Sequence, residues 1–541
     1  MHIEKMTDPI ETERLVLFPY TEENLALFNR DLPGFEETYG VVYRGEELDH
    51  LLTGYLRKLE RELAEDPENA IFFTEFLIVL KENDHVIGSI DYKYIPRDGM
   101  TEVGYGMNPA YEGHGYMTEA LGAFLEFGKA HGIKKVRADT RPDNIRSQNV
   151  LKRCGFRFLH ADGNLWWEAD LEDKGPTLSD AHRKIIDAVI RKARAVCPES
   201  LAMISVCGSA ATGDVHPKSD LDLMILINDV RGRALAEGFL LDDAGIGYDL
   251  YCTTWEMLEA LAECPHAHLA KLFDAKPVYI ADPAAGKRID DLRERALSIL
   301  CTPKRYEKAS AAYERAKSTL ADCFLADSLD GIRMAAASTI CDALYALMLS
   351  RGAVFHRGVK RTFEELRALN LPFDPEEAVL RVILAETPDA IREALVCLMK
   401  ETEAAIRCPS EREAPTPENL SGTYEEMFSN WHGKMEESAG RGDIYSSFMS
   451  LASLEGMIRE IGESVSIPEI SFMDRFDPED LTKNLETYNE AIAEYLREYR
   501  TIGMEPHRYE NADAFVRAYL ADIEQSNRHF GTDPASGKEN P

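Results

Sequence analysis

The chain has 541 residues, and at roughly 100–200 residues per domain that length predicts three or four domains. Its 95 acidic and 61 basic residues leave a net charge of -34. That field disfavours nucleic acid and anionic membranes and suits a cationic acceptor, the plain alternative being a solvated acidic surface that serves solubility. The ten cysteines show no C-x-x-C pair, residues 1–5 carry no apolar leader, and no run approaches the roughly 20 apolar residues of a membrane span. The expectation is a reduced, cytoplasmic protein with no nucleic-acid or membrane partner.

In chain order, residues 14–19 read as a strand and 22–30 as a helix start. Two apolar strands, 76–80 and 86–92, flank Glu82-Asn83-Asp84 as a hairpin. Residues 102–107 and 135–140 read as strands, 116–131 and 145–154 as helices, and 166–171 as a closing strand. Lys174-Gly175-Pro176 marks a linker. A helix over 178–197 then precedes strands at 201–207, 221–227 and 248–252. From about residue 303 the periodicity is helical, broken by a Pro-, Glu- and Ser-rich stretch at 409–422. The polar tail over 531–541 has a disordered composition.

These elements divide the chain at 1–173, 178–283, 296–408 and 420–525, with a tail over 526–541. The fold class is multidomain α+β: a mixed sheet with flanking helices, a central α/β domain and an all-α region of one or two bundles. Tyr313-Glu314-Arg315 with Ala335–Ile340, and Tyr424-Glu425-Glu426 with Phe448–Leu454, suggest that the two helical blocks are degenerate copies of one unit.

Glu102-Val-Gly-Tyr-Gly-Met107 runs into Gly113-His114-Gly115-Tyr116-Met117-Thr118, a strand, a glycine loop and a helix start. Glycines allow close backbone approach, and the free N–H groups of a helix N-terminus favour an anion such as a pyrophosphate. An ordinary tight turn is the alternative. With Asn144-Ile-Arg-Ser147-Gln-Asn149 downstream, the pattern resembles the GNAT acetyltransferase superfamily. Ile10–Leu17 sharpens the resemblance to the branch that acetylates ribosomal-protein N-termini. The resemblance implies acetyl-CoA as cofactor. Met107 would bind the pantetheine arm through its backbone, and the amides from Gly113 to Thr118 would cradle the pyrophosphate. Asn144 and Asn149 would hold the cofactor arm. Ser147 would be the acid for the leaving thiolate and Glu102 the base for the amine; a helix-surface hydroxyl and a strand-end charge are the alternatives. Ala110 stands where that family usually has Arg or Gln, which removes a side-chain contact.

Val206-Cys-Gly208-Ser209 and, ten residues on, Ser219-Asp220-Leu-Asp222-Leu-Met-Ile-Leu226 place two carboxylates at i and i+2 of an apolar strand, hence on one face. Paired carboxylates beside a core strand call for a cation, and magnesium prefers carboxylate and phosphate oxygens. Asp249, within Gly247-Tyr-Asp-Leu-Tyr251, is the third candidate ligand or the base; a strand-end Asp is the alternative. The segment resembles the DNA polymerase β-like nucleotidyltransferases, in the minimal and kanamycin nucleotidyltransferase-like branch. The helical block after it resembles their HEPN-like companion domain. The resemblance implies Mg2+ on Asp220, Asp222 and Asp249. It also implies terminal phosphates on Gly208 and Ser209, and transfer of AMP from ATP to a hydroxyl. Arg351 and His356 have the Arg-x4-His spacing of HEPN ribonucleases, or are simply a helix-end pair suited to the dipole.

Together these features predict a bifunctional N-acetyltransferase and nucleotidyltransferase acting on a small cationic molecule with amines and hydroxyls, such as an aminoglycoside-like antibiotic. The alternative is a protein-modifying enzyme, acetylating a protein N-terminus or AMPylating a partner as a toxin–antitoxin-like regulator.

Overall fold

The computed structural model describes residues 1–45, 50–172, 175–213, 215, 220–242, 245–407 and 412–521. Lys174 of the first expected linker, residues 409–411 of the second and the expected tail over 526–541 lie outside the described residues. The chain forms two compact units, Met1–Cys408 and Pro409–Pro541.

The first unit opens with a nine-stranded mixed sheet. Its strands are β1 (Ile10–Glu11), β2 (Leu15–Pro19), β3 (Val42–Tyr43), β4 (Glu75–Leu80), β5 (His85–Tyr92), β6 (Met100–Met107), β7 (Lys135–Thr140), β8 (Arg157–Asp162) and β9 (Asn164–Asp170). The order is β1-β2-β4-β5-β6-β7-β9-β8, with β3 beside β5. Helices α1 (Glu22–Arg30), α2 (Leu32–Tyr39) and α3 (His50–Glu65) enclose a core with Val16, Phe18, Leu77 and Val79 of the sheet. Helices α4 (Tyr116–Ala130) and α5 (Ile145–Arg153) belong to the core that takes Leu15, Leu17, Phe76 and Ile78, the alternate residues of the same strands. Strands buried on both faces read as continuous apolar runs, as β2 and β4 do.

A second, five-stranded sheet has the order β12-β13-β11-β10-β14. Here β10 is Leu201–Val206, β11 is Leu223–Ile227, β12 is Glu237–Leu241, β13 is Ile246–Thr254 and β14 is Lys276–Ile280. Helix α6 (Asp180–Val196) packs on one face through Ile186, Val189 and Ala193, and α7 (Gly208–Thr212) is a single turn after β10. The strand bearing the paired carboxylates begins at Leu223, so Asp220 and Asp222 precede it instead of alternating along it.

Helices then dominate, including Lys304–Leu325, Leu329–Ser350 and Pro388–Ile406. Contrary to the sequence reading, one of them, Leu329–Ser350, is long and apolar enough to cross a membrane. Half of its apolar window is buried inside the protein, and Ala343, Leu347 and Leu349 are core residues. A single cluster of buried side chains runs from Leu15 and Phe124 through Met203 and Trp255 to Leu347 and Met399. Each large apolar side chain buried there contributes about 1.5–3 kcal/mol, so the two sheets and these helices share one core within the unit. The second unit is helical, with Thr423–Arg441, Ile444–Ser464 and Leu481–Thr501 around Met427, Leu451, Leu454 and Tyr488.

Candidate functional sites

The first site arises where two parallel strands part. β6 and β7 pair from Met100↔Lys135 to Glu102↔Arg137, yet β6 continues to Met107 and β7 to Thr140. Beyond Glu102 the two strands no longer pair with each other. A cavity of about 620 Å3 opens there, within the usual range for a cofactor pocket. Met107, Gly113, Gly115, Tyr116, Met117, Thr118, Asn144, Ser147 and Asn149 line it together. Gly115 is the N-cap of α4 at φ +79°, a left-handed conformation that disfavours any side chain, and the first turn of the helix, whose amides have no intrahelical partner, borders the cavity at Tyr116, Met117 and Thr118. The Asn144 side chain accepts a hydrogen bond from the Ser147 amide at 3.1 Å and so caps α5.

His114 is outside the lining, but its carbonyl accepts a hydrogen bond from Arg14 at 3.0 Å. Arg14 also pairs with Glu119 at 2.6 Å and stacks over the Tyr116 ring at 4.7 Å. It thus ties the glycine loop to β2, a positioning role that sequence reasoning missed. Tyr105 was missed too: its hydroxyl lies 2.8 Å from the Ser147 hydroxyl. Burial pushes that phenol up to about 12, so it is a neutral hydrogen-bonding group. Strand alternation was the available signal, since Tyr105 lies two residues from Met107 and shares its face.

Glu102 does not line this cavity. Alternation puts it on the opposite face of β6 from Tyr105 and Met107. Its carboxyl is raised above the ordinary range, first by burial and then by Asp139, with Asp91 adding to it; Lys93 and Arg137 oppose the shift.

The second site lies at one end of the five-stranded sheet. β11 and β13 run parallel with Leu223 beside Leu250, so Asp222 and Asp249, one residue earlier in each, come side by side. β10 runs antiparallel to β11, and the Cys207 amide donates to the Asp222 carbonyl at 2.9 Å, which brings the Gly208-Ser209 turn against Asp222. A Cβ on Gly208 would run into Asp222 Oδ2, and Gly208 has φ +60°, so glycine is favoured there. Asp220 and Asp249 line a small cavity together. Asp222 is raised by burial first, then by the charge of Asp220 and also by that of Asp249, while Lys271 pulls it down. Lys271 sits 4.0 Å over the Tyr251 ring. It is a cation beside the acidic group that sequence reasoning did not single out.

Among the described residues no three His, Cys, Asp or Glu side chains stand close enough to hold one metal ion. The expected ligands are therefore within electrostatic reach of one another without forming a tight cage. The donor chemistry still fits a divalent cation: the charges of Asp220 and Asp249 raise Asp222, and among the described residues Lys271 is the cation that opposes them. Of the Arg351–His356 pair, Arg351 stands at a helix end and His356 lies beyond it in the following loop. Arg351 follows Ser350 as the C-cap, and His356 Nδ1 is 3.0 Å from both oxygens of buried Asp274.

Two family descriptions match. Acetyltransferase (GNAT) domain matches residues 14–157, and nucleotidyltransferase domain matches residues 183–275. The chain carries a GNAT acetyltransferase domain and a nucleotidyltransferase domain.

The GNAT domain is 35% identical over 102 residues to an uncharacterized N-acetyltransferase, YnaD, of Bacillus subtilis, covering 17% of this chain and 59% of that protein. It is 29% identical over 150 residues to a probable N-acetyltransferase, YjcK, of the same species, covering 26% of this chain and 76% of that protein. The chain spans about half the length of several curated relatives, such as 47% of p20 from Bacillus licheniformis. A solved ribosomal-protein-S5-alanine acetyltransferase from Vibrio fischeri is covered over 100% of its length and 31% of this chain, at 19% identity and a TM-score of 0.25. Both family matches end before β14, so the likeness of the helical region to HEPN domains rests on its sequence alone.

Proposed function

We propose that the chain is a bifunctional transferase, moving an acetyl group from acetyl-CoA to an amine and a nucleotidyl group, AMP from ATP, to a hydroxyl. The observation that carries the reading is the parting of β6 and β7 over a cavity bordered by the α4 glycine loop. Acetyl-CoA would place its pyrophosphate on the amides from Gly113 to Thr118 and its pantetheine arm along Met107, held by Asn144 and Asn149. The amine would attack the thioester carbonyl, the C–S bond would break, and the thiolate would take its proton from Ser147, hydrogen-bonded to Tyr105. Glu102, on the far face, would receive the proton that the amine loses.

At the second site, Asp220 and Asp222 with Asp249 would hold Mg2+, which when bound neutralises charge on the phosphates. Gly208 and Ser209 would orient the terminal phosphates. Asp249 would accept the proton of the acceptor hydroxyl as its oxygen attacks the α-phosphorus and pyrophosphate departs.

The acceptor is a small cationic molecule with amines and hydroxyls, of the aminoglycoside kind, in keeping with the net charge of -34. Every cysteine among the described residues is a free thiol, which fits a cytoplasmic, reducing compartment. The test incubates the protein with acetyl-CoA, or with ATP and magnesium, and an aminoglycoside panel, followed by mass spectrometry. Acetylated and adenylylated products support the reading. No modified small molecule, with label from either donor appearing on a protein band, supports the protein-modifying alternative.

A further inference from the structure

The cavity beside α4 and α5 is charged against the trend of the chain. Among the described residues that line it, Glu112 is the only acidic side chain and Arg146 and Arg153 are the only basic ones, whereas the whole sequence has a net charge of -34. The two arginines differ. Arg146 is ion-paired with Glu112, which offsets its charge. Arg153 ends the last turn of α5 with an exposed side chain, and among the described residues its guanidinium has no hydrogen bond or ion pair.

Two contacts fix where that guanidinium is anchored. Asn149 and Arg153 stand four residues apart on α5, hence on one face, and both border the cavity. The next residue, Cys154, donates its thiol hydrogen to the Thr118 carbonyl at 3.5 Å. The end of α5 is thereby held beside the first turn of α4, where the pyrophosphate of acetyl-CoA would rest.

Coenzyme A carries a third phosphate, a monoester at the 3′ position of the same ribose that bears the pyrophosphate at its 5′ position. Amides and a helix dipole suit a pyrophosphate. A phosphomonoester carries close to two charges near neutral pH, and here it would enter the field of an acidic protein. The Asn, Ser, Thr and Tyr side chains of the lining offer it no charge. A guanidinium does, and it meets phosphate oxygens with two parallel N–H donors.

We infer that Arg153 binds the 3′-phosphate of coenzyme A and so selects the acetyl donor. It favours acetyl-CoA over acetyl thioesters on a bare phosphopantetheine arm, such as those of carrier proteins, which lack that phosphate. The inference rests on the acetyl-CoA reading of the cavity and goes beyond it in naming how the donor is chosen.

The test reads binding and needs no turnover: coenzyme A and 3′-dephospho-coenzyme A are titrated calorimetrically into the full chain. The parent should bind coenzyme A about tenfold tighter, the scale of a charge-assisted contact at an exposed site. Arg153→Gln should bring coenzyme A to the affinity of the dephospho form. It should leave the dephospho form within about twofold of its parental affinity, which also reports that the variant folds. Arg153→Lys should retain part of the preference, since a point charge replaces the fork. Arg146→Gln should keep the parental ratio of the two affinities. Equal binding of both forms by the parent, a preference that survives Arg153→Gln, or one that is lost in Arg146→Gln instead would overturn the assignment and leave the acetyl-CoA reading standing. Binding of neither form by the parent would refute that reading, and the inference with it.

Discussion

On the proposed reading, the cavity beside α4 and α5 and the acidic cluster around Asp222 would meet the same demand, holding a phosphate-bearing donor, with opposite materials. The first offers backbone amides, a cap at Gly115 and neutral side chains such as Asn149 and Ser147. Little in it opposes folding. The second gathers carboxylates at the ends of two neighbouring strands, where burial and mutual repulsion raise Asp222 above its ordinary range. A backbone cradle is insensitive to most single side-chain changes, whereas a carboxylate cluster concentrates function in a few atoms and carries an electrostatic penalty before its ligand arrives.

The sharpest way to break this contrast is Asp222→Asn. Magnesium-dependent nucleotidyl transfer should fall by roughly a thousandfold or more, as for loss of a group that stabilises transition-state charge, while acetyl transfer in the same preparation stays within about twofold. Equal losses in both assays would show that the two sites are not separately built. Gly208→Ala should come next. The new Cβ meets Asp222 Oδ2 and has to sit on an already left-handed backbone, at a strain of about 1–3 kcal/mol, so nucleotidyl transfer should drop by roughly a hundredfold. Ala at Gly113, which also has positive φ but no neighbour within 4 Å of the added Cβ, should weaken acetyl-CoA binding by only about tenfold or less.

A smaller effect sharpens the acetyl site. Tyr105→Phe and Ser147→Ala each remove one end of the same 2.8 Å hydrogen bond. Each should lower acetyl transfer by about ten- to a hundredfold, and the double variant should be little worse than the slower single one, because contacting residues are not additive. Additive losses in kcat would mean that the pair does not act as a unit. The acid limb of the same reaction adds a pH test. Glu102 is raised by burial and by Asp139, so Asp139→Asn removes a like charge and should move that limb to lower pH.

How far the sequence carried these sites follows from which interactions are local. The glycine loop, the Asn144 cap and the Asp220–Asp222 spacing are set within a few residues, and the amino-acid order shows them directly. The apolar runs of β2, β4, β10 and β11 were legible for the same reason. What escaped depends on register and packing. Asp222 meets Asp249 only because β11 and β13 align Leu223 with Leu250, and Arg14 reaches the glycine loop only because β2 lies beneath it. Glu102 was read as the base for the amine, and its place on the face of β6 opposite Tyr105 and Met107 follows from period-two alternation. The helix Leu329–Ser350 escaped notice as a bilayer-length apolar segment because Asp330, Arg333, Ser338, Thr339 and Asp342 interrupt its apolar runs.

The smallest effect concerns stability and has a fixed sign. A carboxyl whose folded value lies above its unfolded one binds its proton more tightly in the folded state. Its contribution to stability is present below the ordinary Asp range and is lost as pH rises through the folded value. At neutral pH without metal, Asp222 therefore works against folding, and Asp222→Asn removes that deficit. Because the side chain is partly exposed and solvent screens it, the gain should be modest, a rise in Tm of about 1–2 °C at pH 7. That gain should vanish near pH 3, where the parent carboxyl is itself protonated. Added magnesium should reverse the ranking, since binding to the folded state raises the parent's Tm and leaves the variant where it was. If Asp222→Asn melts lower than the parent in metal-free buffer at pH 7, the carboxylate is held by partners instead of strained by neighbours, and the contrast between the two sites loses its electrostatic basis.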